Sequence, residues 1–144
     1  MFFLMIVMIN NSIADDHTYK WNTKPEVEVC TNMITKDQLN KSLSFWKNEI
    51  NAEYSKITFF NEYSCPPIKK GVIQIIRNKN IVREYGKTDI NYFYYDDPND
   101  RTIESVVIKL SDHMIYEQNI TLRHELGHAF GLLHENEGIM NPYY

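Results

Sequence analysis

The chain has 144 residues, 43% of them hydrophobic, which is ample for the core of one domain and leaves a second domain unexpected. Its formal net charge is -4, with the acidic groups spread along the chain and no basic cluster denser than Lys69-Lys70. Nucleic acid is therefore not an expected partner.

The first residues, MFFLMIVMI, are too few to span a bilayer, and the small residues Ser12 and Ala14 follow them. Segment 1–14 reads as a signal peptide cut after Ala14; an N-terminal strand with a buried apolar patch is the competing reading. Export predicts a secreted domain over residues 15–144 with no stable membrane anchor. A polar, extended arm runs to Pro25, and VEVC at 27–30 alternates like a short strand. Cys30 and Cys65 are the only cysteines. In an exported chain an even count permits one bridge, and two buried free thiols are the other reading.

Thr35 opens a capping box with Gln38, and Leu39, Leu43, Trp46 and Ile50 recur on one face, which predicts an amphipathic helix over 36–52. Four strand-like runs follow: ITFF at 57–60, GVIQII at 71–76, INYFYY at 90–95 and TIESVVIKL at 102–110. Together they predict the α+β class, with a mainly antiparallel or mixed sheet and helices on one face. The aromatic run NYFYY is expected to pack in the core rather than line a cleft. In DDPND, residues Asp96, Asp97, Asn99 and Asp100 offer oxygen ligands for calcium, but the glycine and distal glutamate of an EF-hand loop are missing. A turn between strands is the preferred reading there.

Helical spacing returns over 117–130, with Leu122, Leu126, Ala129 and Phe130 available for a buried face. His124 and His128 stand four residues apart and so project from one side of that helix, near enough to share an ion. Glu125 takes the neighbouring angular position, beside a metal rather than on it, as a general base requires. Gly131 allows the sharp left-handed turn that would return His134 as a third ligand. Three imidazoles leave a fourth zinc position open, which is the layout of a catalytic site. His17 and His113 belong to no such set.

The stretch HELGHAFGLLH followed by GIM resembles the HExxHxxGxxH and Met-turn signature of the metzincin zinc endopeptidases, and is most similar to small matrixin-like members. The resemblance implies a zincin-like single domain: a twisted mixed sheet, an N-terminal helix and an active-site helix. It also implies one catalytic zinc on His124, His128 and His134, Glu125 as general base and acid, and Met140 as the Met-turn residue beneath the metal. Upstream, the order of strand, helix with Trp46, several strands and VVIKL is loosely similar to the family's N-terminal subdomain.

This sequence departs from the pattern at its end. His134 and Met140 are six residues apart, and only four residues follow Met140, so a truncated C-terminal subdomain is expected. Pro142 stands where some members carry an extra tyrosine ligand, with Tyr143 and Tyr144 beyond it. The surroundings of Cys30 are unlike a cysteine switch, so latency by that route is not expected.

The function expected is a secreted, monomeric metalloendopeptidase that hydrolyses protein or peptide substrates through a zinc-bound water activated by Glu125. The alternatives are a non-catalytic binding module on the same frame and a zinc hydrolase of a non-peptide amide. A substrate strand would lie along a sheet edge, supplied by 90–95 or by 102–110.

Overall fold

The computed structural model describes residues 19–80, 85–94, 101–112 and 118–142. Its elements, in chain order, are β1 (Tyr19–Lys20), β2 (Glu26–Cys30), α1 (Lys36–Ile50), β3 (Ile57–Phe59), β4 (Val72–Arg77), β5 (Gly86–Tyr94), β6 (Arg101–Leu110) and α2 (Gln118–Ala129). A single 3-10 turn at Glu62–Ser64 lies between β3 and β4. The described residues form a small α+β arrangement of two helices and a mostly parallel mixed sheet.

Helix α1 begins where the capping box predicts. The Gln38 amide donates to Thr35 Oγ1 at 3.1 Å, and the Thr35 amide donates to Gln38 Oε1 at 2.8 Å. Two donors that the first turn leaves without helical partners are thereby satisfied. The helix ends two residues before the predicted limit because Asn51 adopts a left-handed conformation, φ 57°, and its amide turns back to Lys47 O. Leu39, Leu43 and Trp46 are buried as the spacing predicts, whereas Ile50, expected on the same face, is 39% exposed at the fraying end.

Across the sheet the strands run β3-β2-β4-β6, all parallel, and β5 pairs with β6 antiparallel on the far side. The short β1 also runs parallel to β6, at Arg101 and Thr102. The mainly antiparallel alternative is therefore corrected. β2 and β3 are joined through α1, and a helical crossover returns the chain in the same direction. β5 and β6 are consecutive in the chain and run antiparallel. Within the arm expected before Pro25, Tyr19 and Lys20 are extended and form β1.

Strands β2 and β4 are covered on both faces, as parallel strands usually are. Val27, Val29, Ile73 and Ile75 meet Leu39 and Leu43 of α1 on one side. On the other side lie Glu28, Cys30 and Gln74, all buried under the loop that carries Cys65. Cys30 and Cys65 form a disulfide with a Cα separation of 5.5 Å, so the bridged reading holds over the free-thiol one. Gln74 Nε2 donates to Pro66 O at 2.9 Å and to Glu28 Oε2 at 3.1 Å, which ties the same loop down a second time.

Helix α2 packs on the helix face of the sheet beside α1, and the Trp46 indole donates to Arg123 O across the two helices at 2.7 Å. A buried indole N–H needs such an acceptor, so this bond sets the height of α2 against α1. Within NYFYY, Tyr92 and Phe93 are half-buried, and Tyr92 packs edge-on against Tyr19 at 4.7 Å. Among the described residues, no helix is long and apolar enough to cross a membrane. Segment 1–14, His17, the DDPND stretch, His113, Tyr143 and Tyr144 lie outside the described residues.

Candidate metal centre

Helix α2 carries His124 and His128 one turn apart, and the turn that follows decides whether His134 reaches them. The Gly131 amide donates to His128 O at 2.9 Å and the Leu132 amide to Gly127 O at 3.0 Å, the paired bonds of a Schellman ending. Gly131 occupies its left-handed position with φ +103°. A Cβ there would overlap Tyr19 O, because β1 passes directly over the turn. Glycine is thus required twice, for the backbone conformation and for the close approach of β1. The Trp21 indole donates to Ala129 O at 2.8 Å and holds the same helix end from the arm side.

The turn brings three imidazole nitrogens together. His128 Nε2 lies 3.1 Å from both His124 Nε2 and His134 Nε2, and the third separation is 3.2 Å. His124 Nδ1 is 2.7 Å from Ile139 O, and His128 Nδ1 is 2.7 Å from Leu132 O. A carbonyl only accepts, so each Nδ1 carries the proton and each Nε2 of that pair presents a bare lone pair. Two lone pairs facing each other at 3.1 Å repel unless a cation sits between them.

The triangle has the dimensions of a zinc site. Nitrogens about 2.0–2.1 Å from one tetrahedral zinc stand about 3.3 Å apart, within a few tenths of an ångström of the separations here. The set His124, His128 and His134 is the group that could hold a metal among the described residues, and Glu125 is not part of it. Cysteine is excluded as a completing ligand, since both thiols are spent in the disulfide. Burial pulls the His128 imidazole down to about 4; the bond to Leu132 opposes this, and the neighbouring His124 and His134 add to it. His134 is also lowered, first by burial and then by His124. Neutral imidazoles are the form that binds metal.

Met140 is 2% exposed and lies under α2 at Gly127. The six-residue connection from His134 closes on itself: the Glu135 amide donates to Met140 O at 3.0 Å, the Asn141 amide to Gly138 O at 3.1 Å, and Asn141 Nδ2 to Asn136 O at 2.8 Å. That closure is what aims Ile139 O at His124. Pro142 follows it, exposed.

Glu125 is buried, 7% exposed, and points toward β5, where Thr88 Oγ1 donates to its carboxylate. Of the sequence-predicted site residues, the structure brings together His124, His128 and His134, with Gly131 at the turn between them and Met140 under the helix, and it turns the Glu125 carboxylate to Thr88 of β5. Sequence reasoning missed Gly127, Thr88 and Trp21. A glycine inside a helix costs about 1 kcal/mol relative to alanine, and that cost is a signal of close packing at Gly127. Thr88 and the two carbonyls behind the histidines carried no local signal. Compared with known proteins, the chain matches no family model, and no curated protein matches it significantly.

Proposed function

We propose that this chain is a secreted zinc-dependent metalloendopeptidase of the metzincin type. The observation that carries the reading is the triangle of Nε2 atoms at 3.1–3.2 Å, with His124 and His128 each held by a carbonyl on the opposite nitrogen. Bound there, zinc would supply Lewis acidity and lower the pKa of a water toward about 7. Glu125 takes the proton of the attacking water and hands it to the leaving amine. A structural zinc site would have no use for that carboxylate.

Two further observations support a peptide substrate. Strand β6 has β4 on one side and β5 on the other, so it is no free edge. β5 has β6 as its partner among the described residues, which leaves its outer side as the edge for a substrate strand, next to Glu125. The Cys30–Cys65 bridge favours an oxidising compartment and so supports secretion.

The test is zinc content and cleavage of a quenched-fluorescence peptide library by residues 15–144, with and without a chelator. One zinc per chain and chelator-sensitive cleavage are expected. Zinc without cleavage would shift the reading to a non-catalytic module or a non-peptide amide hydrolase, and a folded chain without zinc would overturn it.

A further inference from the structure

We propose that Thr88 is a positioning residue for Glu125, an inference that rests on the endopeptidase reading above. Glutamate has three side-chain torsions, and the last of them is broad, so a carboxylate on a helix does not hold one position unaided. Two features of β5 restrict this one. Thr88 Oγ1 donates to Glu125 Oε2, and the same hydroxyl lies 3.1 Å from the Glu125 backbone carbonyl. The hydroxyl has one proton, and the charged carboxylate is the stronger acceptor.

Gly86 supplies the second restraint. A Cβ on Gly86 would fall 2.9 Å from Glu125 Cγ and 3.2 Å from Glu125 Oε1, so the strand backbone itself walls the side chain. Gly86 and Thr88 are two residues apart and share one face of β5. Their heights are set by pairing with Leu110 and Ile108 of β6. The base is thus held by the strand along which a substrate would pair, and a proton acceptor displaced by about 1 Å costs roughly 10²-fold in rate.

The experiment compares the wild-type chain with Thr88→Val, which removes the hydroxyl at nearly constant shape, and Thr88→Ser, which restores it. In the zinc-loaded proteins, Thr88→Val lowers kcat by about 10- to 100-fold with KM and zinc content held, and Thr88→Ser recovers most of the loss. The carboxyl-carbon NMR resonance of Glu125, assigned with Glu125→Gln, gives a readout independent of turnover. It moves in Thr88→Val and returns in Thr88→Ser. Should the valine variant misfold, Thr88→Ala repeats both comparisons without a branched side chain.

Equal kcat in all variants, or a serine variant as slow as the valine one, would overturn the inference. So would coincident carboxyl resonances. A zinc-loaded wild-type chain that cleaves nothing would instead sink the endopeptidase reading and with it a role for Thr88 in turnover, while the resonances still decide whether Thr88 holds Glu125.

Discussion

Gly127 and Met140 meet where no side chain on α2 would leave room: a Cβ added to Gly127 overlaps Met140 Sδ and falls 2.7 Å from Trp46 Cζ2. The gap lets the turn beneath the histidines and the buried indole of α1 touch the same point of the helix. Gly127→Ala therefore sets two effects against each other. Helix propensity gains about 1 kcal/mol, and overpacking in a close-packed interior costs about 1–3 kcal/mol. Met140 has a flexible end but Trp46 does not, so the cost wins. A lower melting temperature and weaker zinc binding are expected, since the turn that presents Ile139 O must shift. A variant more stable than wild type would show that the gap is slack.

Glu125→Ala separates chemistry from metal binding. The carboxylate lies outside the histidine cluster, so zinc should stay near one per chain while peptide cleavage is lost. Retained cleavage in this variant removes Glu125 as the base.

His134→Ala removes the ligand that arrives from the turn rather than from the helix. Zinc affinity, measured by competition with a chromophoric chelator, should fall by more than the roughly 10- to 100-fold that follows loss of a hydrogen-bond partner behind a ligand. Unchanged affinity would show that the third ligand lies elsewhere.

Acid should destabilise the metal-free chain in a defined window. His128 titrates at about 4 in the fold against 6.5 in the unfolded chain, so between these values the unfolded state binds the extra proton. The stability this group contributes is complete above pH 6.5 and is lost as the pH falls toward 4, with His134 lowered in the same direction. Denaturant midpoints of the metal-free protein should drop across that window, and His128→Gln should flatten the slope. An equal slope in the variant would assign the pH dependence to other groups.

The Cys30–Cys65 bridge closes a loop of 35 residues that contains α1 and β3. In the chain-entropy model such a loop contributes about 4 kcal/mol. Cys30→Ser with Cys65→Ser should reduce unfolding free energy on that scale, measured by denaturant titration in metal-free protein. A loss below about 1 kcal/mol would mean that Gln74 and its bonds to Pro66 and Glu28 suffice to hold the loop.

The residues themselves determined what depends on local periodicity. Leu39, Leu43 and Trp46 share a face because 3.6-residue repetition places them there, and Thr35 with Gln38 marks the start of α1 for reasons contained in four residues. The juxtaposition of His124 with His128 follows from one helical turn, and the left-handed Gly131 from its missing Cβ. Strand direction is not local. Alternation in β4 or β6 is the same whichever way a neighbour runs, so the parallel order of β3, β2, β4 and β6 and the antiparallel pairing of β5 with β6 emerged only in the folded chain. Long-range approach likewise decided which carbonyls hold the histidines, why Gly127 must be small and that Thr88 reaches Glu125, 37 residues away in the chain. Those contacts join atoms that only close packing of distant segments brings together, and no spacing within a single element encodes them.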